Sequence, residues 1–388
     1  MGKAGVMALK LAPPQARRAF LAIMGGSALL AIAGCQTGRG PGPYPNGPYN
    51  GAATPPEAER HVVAVIVPLT GSDAGVGQSI ANAASLALLD TGDKSVRLSA
   101  YDSAGVGGAA AATQRAIGDG AELILGPLLA EDVREAAPVA RRAGVPVIAF
   151  SNDTSVAGGG VYIMGFTPDQ SIGRVVEYSR AKGATRFGAL VPSGLYGQRA
   201  SAAILSAVRR SGGRVTAMEN FDRSPASVSS AARRLKARGG SDSVVIADSG
   251  RIAALAAPSL AGMQMLGTEL WASDHTLGKT AALRGAVYAA APDARFSQLT
   301  GRYRARYGKL PYRLGSLGYD AILLVARATP NWPMGRPFPA RSLIEREGFA
   351  GVDGNFRFRR DGIAERLLEV RQVTAAGTTV VARAATAF

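Results

Sequence analysis

Apolar runs alternate with amphipathic segments from residue 62 onward. Residues 62–68 form a nearly continuous apolar run rich in valine, which is typical of a parallel strand covered on both faces. A turn of small and polar residues follows. From Gly77 the apolar side chains recur at the i, i+3, i+4, i+7 spacing of a helix, as Ile80, Ala83, Ala84, Ala87 and Leu88. The pattern therefore predicts a strand, a loop and a helix at the beginning of the globular part.

The alternation of strands and helices continues in two series along the chain. The first series predicts strands at 96–101, 122–126 and 145–150, with helices at 108–117 and 131–142. The second predicts strands at 186–192, 214–221 and 243–248, with helices at 197–210, 228–238 and 251–260. Because such alternation builds parallel sheets with helices on both faces, we expect an α/β protein of two lobes. Each lobe should carry a doubly wound, mainly parallel sheet.

The first 34 residues have the pattern of a secretory signal. They contain four basic residues and no acidic one, and a 16-residue apolar run occupies residues 19–34. This run is shorter than the roughly 20 residues that a membrane-spanning helix needs. It ends in Ile-Ala-Gly-Cys, which resembles a bacterial lipobox, so we expect residues 1–34 to be removed and Cys35 to be lipidated. The alternative is a buried cysteine in an uncleaved anchor.

A segment rich in proline and glycine, residues 35–60, separates this signal from the globular part. Residues 36–60 hold six prolines and five glycines and show no helical or strand periodicity. At about 3.1 Å per residue in the polyproline conformation, the segment would span on the order of 75 Å. We expect it to be a tether that holds the globular part away from the membrane. Gln36, directly after the cysteine, favours the outer membrane, as in lipoproteins of this kind.

Composition narrows the function classes. Arginine supplies 37 of the 44 basic residues, and they are scattered with no run of five like charges. The net charge of +16 therefore predicts a basic surface rather than a nucleic-acid partner. The single cysteine excludes an internal disulfide, and the two histidines form no helical pair of the kind that zinc hydrolases use. Nucleophile-elbow, P-loop and dinucleotide motifs are missing from the sequence, so we expect no enzyme, no cofactor and no metal.

Several motifs occur in the order found in one family. They are residues 65–71 (VIVPLTG) followed by Gly77 and Gln78, then 123–128 (LILGPL), 144–152 (GVPVIAFSN), 195–198 (LYGQ) and 318–321 (GYDA). Together they resemble the type I periplasmic binding proteins of the leucine-binding class. The resemblance implies two lobes joined by a hinge. The N-terminal lobe would comprise residues 61–168 and 275–335, and the C-terminal lobe residues 169–274 and 336–388.

One loop favours a particular branch of that family. Amino-acid receptors of the class hold the ligand's carboxylate with a serine-rich loop after the third strand, whereas residues 128–132 here read Leu-Leu-Ala-Glu-Asp. The dipole of the following helix should keep Glu131 and Asp132 ionised, so we expect this loop to repel a carboxylate. With the lipobox and the tether, the sequence is similar to the penicillin-binding protein activators.

That similarity implies a function without catalysis. It implies a lipid-anchored periplasmic module that interacts with a peptidoglycan synthase, or an envelope assembly protein, and regulates peptidoglycan synthesis. The alternative function is that of a substrate-binding lipoprotein of an ABC transporter for amino acids or another small polar solute. Under either function a small polar ligand remains compatible with the sequence.

Seven residues are candidates for lining a ligand cleft between the lobes. They lie at predicted strand ends or in the loops just after them, where doubly wound sheets bind ligands, and are Thr70, Ser72, Ser151, Asn152, Tyr196, Asp248 and Asp274. By resemblance, Tyr196 is a cleft aromatic and Asp274 the carboxylate that holds a ligand's amino group. The alternatives are a plain polar turn at Ser151 and Asn152 and a core or rim position for Tyr196.

Overall fold

The computed structural model describes residues 60–388, so the predicted signal peptide, Cys35 and the tether up to residue 59 lie outside the described residues. The first series of elements is β1 (His61–Val67), α1 (Ala74–Thr91), β2 (Val96–Asp102), α2 (Gly108–Gly118), β3 (Leu123–Leu125), α3 (Ala130–Ala143), β4 (Val147–Ala149) and β5 (Val161–Ile163). The five strands form one parallel sheet in the order β2-β1-β3-β4-β5. All seven residues of β1 are buried, as its unbroken apolar run predicts.

The second series begins with a helix and again alternates. Its elements are α4 (Pro168–Ala181), β6 (Arg186–Pro192), α5 (Leu195–Arg210), β7 (Arg214–Phe221), α6 (Pro225–Arg238), β8 (Ser243–Ile246), α7 (Gly250–Ala256), β9 (Gln264–Gly267) and β10 (Val287–Ala290). The predicted helix at 251–260 is divided, because a 3₁₀ turn that contains Pro258 follows α7 at Ala257–Leu260. The five strands of this series are parallel to one another.

The remaining segments return to both lobes. They are α8 (Ala294–Tyr307), α9 (Gly315–Ala328), β11 (Phe349–Gly351), β12 (Gly354–Phe358), β13 (Ala364–Arg366), β14 (Glu369–Thr374) and β15 (Gly377–Ala382). Strands β14 and β15 join the second sheet as antiparallel edge strands, in the order β15-β14-β10-β9-β8-β6-β7. Strands β11, β12 and β13 form a separate antiparallel sheet. The two-lobed, mainly parallel α/β fold expected from the sequence is confirmed.

Two lobe boundaries differ from those expected. Strand β10 was expected in the N-terminal lobe, but it pairs with β9 in the second sheet, so the chain re-enters the first lobe only at α8. Residues 336–366 were expected in the C-terminal lobe, but Phe338, Phe356 and Phe358 pack into the core with β1 and α9. The physical reason is the same in both cases. A segment joins the lobe in which its aromatic and aliphatic side chains are buried, and that lobe is set by strands far away in the sequence.

The chain therefore passes between the lobes three times, at residues 164–167, 291–293 and 367–368. Two buried arginines tie these crossings together. Arg366 donates from Nη2 to the carbonyl oxygen of Met164 in the first crossing, at 2.6 Å. Arg371 donates from Nη2 to the carbonyl oxygen of Ala291, at 3.0 Å, and forms an ion pair with Asp293 in the second crossing. Hydrogen bonds and charge thus hold the three crossings as one junction.

Both lobes contain the same close contact between a strand and the helix that follows it. Gly77 in the first turn of α1 lies against Pro68 after β1, and Gly197 in the first turn of α5 lies against Pro192 at the end of β6. A Cβ atom would fall 1.8 Å from the carbonyl oxygen of Pro68 at the first position and 1.6 Å from that of Pro192 at the second. Glycine is required at both positions because backbone fills the space that a side chain would need.

We predict that Gly77→Ala destabilises the protein by about 2–3 kcal/mol, because helix α1 must move away from β1 to admit the methyl group. The midpoint of urea unfolding of the full-length chain measures this. The matched control is Gly301→Ala on the exposed side of α8, where nothing lies within 4 Å of the added methyl group. That change should raise stability by up to about 1 kcal/mol through helix propensity. Equal effects of the two substitutions would contradict the packing argument.

Candidate functional site

Both sheets have a candidate ligand-binding edge at the carboxyl ends of their strands. Because the central strands are parallel, the loops after them gather at the carboxyl edge of each sheet, where ligands of such folds bind. The loops after β1 and β4 hold four of the predicted residues, Thr70, Ser72, Ser151 and Asn152. The other three follow strands of the second sheet, with Tyr196 in the first turn of α5 after β6, Asp248 after β8 and Asp274 after β9.

In the first lobe, Asp102 at the end of β2 organises the neighbouring loop. Its carboxylate accepts a hydrogen bond from the backbone N–H of Leu69 at 2.8 Å and another from the hydroxyl of Thr70 at 2.7 Å. These bonds lower the pKa of Asp102 in spite of the opposing effect of desolvation. Thr70 is therefore held at the carboxyl edge. Ser72 is exposed and donates only to the adjacent Asp73 within the described part of the chain.

The acidic residues after β3 lie in partly buried surroundings that contain several carboxyl groups. Burial, followed by the charges of neighbouring acids, raises the pKa of Asp132 above its usual range. The direction is opposite to that expected from the helix dipole alone, because desolvation and the charges of Glu131, Glu135 and Asp102 outweigh the positive end of α3. The side chain of Glu135 is occupied in accepting a hydrogen bond from the N–H of Ala109 in the first turn of α2.

In the second lobe, two buried hydroxyl groups have no hydrogen-bond partner in residues 60–388. They are Oη of Tyr196, in the first turn of α5, and Oγ1 of Thr268, directly after β9. Burial raises the pKa of Tyr196 strongly, and the nearby carboxylates of Glu269 and Asp248 raise it further, while the neighbouring hydroxyl of Thr268 acts in the opposite direction. Leaving a buried polar group without a hydrogen bond costs about 1–3 kcal/mol.

Asp248 ends the loop after β8 and is 5% exposed. Its Oδ2 lies 2.6 Å from Nε of Arg223, and its Oδ1 accepts the N–H of Ser249 at 2.7 Å. Arg223, in the loop after β7, has a φ of 69° and is the one non-glycine residue with positive φ between residues 60 and 388. Strained backbone of this kind is concentrated at functional sites, which supports a role for this ion pair.

Glu269 and Asp274 complete the second lobe's edge. Glu269 follows Thr268 and accepts a short hydrogen bond from the hydroxyl of Ser171 on α4. Asp274 accepts hydrogen bonds from both the N–H and the hydroxyl of Thr276 and packs against Gly250 at the start of α7. Tyr196, Asp248 and Glu269 are thus close neighbours, with Asp274 one turn away at the rim of the same loops.

An ion pair joins the two lobes beside these edges. Asp153, after β4, is fully buried, and its Oδ2 lies 2.5 Å from the guanidinium of Arg199 on α5 and 2.7 Å from that of Arg134 on α3. Ser151 is buried and accepts the N–H of Asp153, whereas Asn152 is exposed. These two predicted residues therefore lie at the junction between the lobes, and Ser151 positions the buried carboxylate.

Four residues contribute to these edges without having been predicted from the sequence, namely Thr268, Glu269, Arg223 and Arg199. The position after a parallel strand was a usable signal for Thr268, Glu269 and Arg223, because each follows such a strand. No pattern in the sequence indicated that Arg199, one turn into a helix, would reach across to the first lobe. Within residues 60–388, no group of His, Cys, Asp and Glu side chains is arranged to hold a metal ion. Over the same residues, no helix is long and apolar enough to cross a membrane.

Comparisons with known proteins agree with this architecture. A leucine-binding protein from Thermotoga maritima is 22% identical with a TM-score of 0.61, and the match covers 84% of this chain and 98% of that one. A solute-binding protein of an ABC transporter from Rhodopseudomonas palustris, in complex with 3,4-dihydroxybenzoic acid, is 20% identical with a TM-score of 0.63 and coverages of 85% and 98%. At this level of identity, the two likenesses establish the fold. They do not confirm the expected closeness to penicillin-binding protein activators.

A curated relative matches over a shorter length. It is the uncharacterized protein RP748 of Rickettsia prowazekii, 22% identical over 179 residues, which are 46% of this chain and 48% of the relative, so the match spans about half of that protein. A family model described as "Periplasmic binding protein" matches residues 62–378, and thus β1 through β15. Together with the two-lobed fold, this match shows that the chain belongs to the periplasmic binding proteins, a family that binds ligands rather than transforming them.

Proposed function

We propose that the protein is a periplasmic solute receptor that closes its lobes on a small polar ligand and presents it to an ABC transporter. The observation that carries the proposal is the pair of buried hydroxyls of Tyr196 and Thr268, which lie beside each other at the carboxyl edge of the second sheet without a well-formed hydrogen bond. A ligand that hydrogen-bonds to both would recover the free energy that they lack without it. The adjacent Asp248–Arg223 pair adds charge of both signs to the same edge.

Charge in the first lobe restricts the chemistry of that ligand. Four carboxyl groups lie at the end of β2 and in the first two turns of α3, namely Asp102, Glu131, Asp132 and Glu135. A ligand group that faces them should carry positive charge or hydrogen-bond donors, since a carboxylate there would be repelled. The R. palustris relative was described with an aromatic carboxylic acid, so we infer that this chain takes a different class of solute, a cationic or donor-rich one.

The protonation of Glu269 bears on which ligand groups the site accepts. Burial raises the pKa of Glu269 to about 7, although the hydrogen bond from Ser171 acts in the opposite direction. Near neutral pH the carboxyl group is therefore both an acceptor and, when protonated, a donor. The second lobe can thus bind either a donor or an acceptor next to Tyr196.

The lipid anchor at Cys35 and the tether belong to the same proposal. They would keep the receptor at a membrane, most consistently the outer membrane, while the globular part samples the periplasm. The regulation of peptidoglycan synthesis favoured by the sequence is supported neither by the relatives nor by a feature of the described residues. It therefore ranks below solute binding.

Calorimetry of the full-length chain against a panel of solutes tests the ligand class. The panel should contain cationic amino acids, polyamines, the neutral amino acids and benzoates. We expect a cationic or donor-rich solute to bind with a Kd below about 0.1 mM, and neutral amino acids to bind no tighter than about 1 mM. Tyr196→Phe should weaken the bound solute by about tenfold, because one hydrogen bond is lost.

Tyr178→Phe is the matched control, since Tyr178 lies on α4 in the same lobe, outside the strand-end loops. It should leave the affinity unchanged. Micromolar binding of a neutral amino acid would contradict the inferred ligand class while leaving the receptor function intact. Absence of binding across the panel, with an envelope synthase captured from extract, would instead restore the regulator of peptidoglycan synthesis.

Glu269→Gln should change how stability depends on pH. Burial raises the folded-state pKa of Glu269 to about 7, above its ordinary value of 4.5, so the folded state holds the proton more tightly and this group's contribution to stability falls as pH rises from 5 to 8. The glutamine variant lacks this loss and should gain about 1–3 kcal/mol relative to wild type between those pH values. Urea unfolding at pH 5, 6.5 and 8 measures the difference. Buried Asp320, with its pKa also raised to about 7, is present in both proteins and cancels. A difference that does not vary with pH would refute the prediction.

Cys35→Ala tests the anchor. We expect the substituted protein to retain its signal segment and to leave the outer-membrane fraction, because the thiol that accepts the lipid is gone. Fractionation of the envelope followed by mass spectrometry of the N-terminal peptide measures both effects. Ser27→Ala, in the same segment, should leave anchoring unchanged. An unmodified Cys35 in the membrane fraction would show that the leader itself is the anchor.

A further inference from the structure

A groove of about 920 Å³ lies on the flank of the junction between the lobes, apart from the strand-end residues described above. Its lining comes from the loop after β4, the first turns of α4, the middle of α5, strand β13 and the segment after β15. Asn152 is the one predicted cleft residue in this lining, and Thr70, Tyr196, Asp248 and Asp274 are outside it. The groove is therefore a second concave site, built by both lobes and by the third crossing.

Positive charge dominates the groove. Six arginines line it against three acidic side chains, and they are Arg174, Arg199, Arg210, Arg359, Arg366 and Arg383. Three of the six are engaged by carboxylates, since Arg199 pairs with Asp153, Arg210 with Asp169 and Arg359 with Asp361. The other three form no ion pair with a carboxylate within residues 60–388. A net excess of guanidinium groups thus faces the groove.

Arg366 is the most constrained of these cations. It is 6% exposed, its guanidinium lies 4.5 Å from the ring centre of Phe166 and 5.0 Å from that of Phe356, and Nη2 donates to the carbonyl oxygen of Met164. Its Nε and Nη1 have no acceptor within the described residues. Desolvation lowers the pKa of Arg366 below its ordinary value, although the charges of Asp353 and Asp320 act in the opposite direction.

Arg174 and Arg383 also line the groove, from α4 and from the segment after β15. Arg174 on α4 donates only to backbone carbonyl oxygens, those of Leu368 at 2.9 Å and Arg383 at 3.3 Å. The side chain of Arg383, after β15, is exposed and makes no hydrogen bond in the described part of the protein. Carbonyl oxygens orient Arg174 without neutralising it, so both arginines remain available to an anion.

We propose that this groove binds a small anion that carries at least two carboxylate or phosphate groups. Guanidinium groups bind both kinds of anion through paired N–H donors, and three such groups from separate segments match a multivalent ligand better than a monovalent one. Arg174 and Arg383 would contact the anion directly, and the buried charge of Arg366 would add to the attraction. Because both lobes line the groove, its occupancy is linked to the angle between them, and therefore to ligand binding at the strand ends.

Calorimetry of the full-length chain with sodium citrate and, separately, sodium pyrophosphate tests the proposal. Sodium chloride at matched ionic strength is the blank, since it supplies salt without a multivalent anion. We expect one equivalent of citrate, pyrophosphate or both to bind with a Kd below about 1 mM. Binding of citrate alone assigns the groove to carboxylates, and binding of pyrophosphate alone assigns it to phosphates. Either result supports a multivalent anion site.

Substitutions locate the binding. Arg174→Gln and Arg383→Gln should each weaken the anion by about tenfold, through the loss of one charge-assisted contact. Arg209→Gln on α5 is the matched control, because it removes the same charge from a position outside the groove, and it should change the affinity less than about twofold. Failure of both anions to give saturable binding would overturn the proposal. So would an equal loss in the Arg209→Gln protein, which would indicate surface charge alone. Neither outcome depends on whether the strand-end ligand is identified.

Discussion

The three crossings between the lobes are bound together by buried guanidinium groups, and the arrangement of both sheets depends on this junction. Arg366 and Arg371 lie on either side of the two-residue crossing at 367–368 and reach to Met164, Ala291 and Asp293 in the other two crossings. A buried arginine without such partners would be strongly destabilising, so the crossings must stay in register for either charge to be satisfied. The junction places the carboxyl edges of the sheets, and with them every candidate site residue.

The periodicity of the sequence was sufficient to predict the central strands and helices, but not which lobe the later segments join. Strand β1 and the helices α1 and α5 follow from local patterns, because burial on one or both faces leaves a direct mark on residue order. The pairing of β10 with β9, and the packing of Phe356 beneath the first sheet, depend on residues far away in the chain. Such contacts leave no local periodicity, which is why two lobe boundaries were displaced from their expected positions.

For the candidate site, too, the sequence predicted the positions of residues but not their surroundings in the folded protein. The rule that ligands bind after parallel strands located Tyr196 and Asp248, both of which lie at the edge of the second sheet. That the hydroxyls of Tyr196 and Thr268 lack partners is a property of the folded neighbourhood, and no sequence pattern encodes it. The raised pKa of Asp132 likewise reflects burial among other acids, which outweighed the helix dipole that the sequence suggested.

The shortness of the third crossing limits how the two halves of the molecule can move. Only residues 367 and 368 separate β13 from β14, and three Cα–Cα steps can reach no more than roughly 10 Å. If one lobe slid past the other, the distance between Arg366 and Glu369 would soon exceed what the two-residue crossing can span. Twisting one lobe against the other would pull the three crossings apart. The motion that this crossing permits is a hinge rotation of one lobe relative to the other, about an axis through the junction. A binding protein whose halves are joined in this way opens and closes by rotation at the junction, so a molecule that contacts both halves acts on that motion.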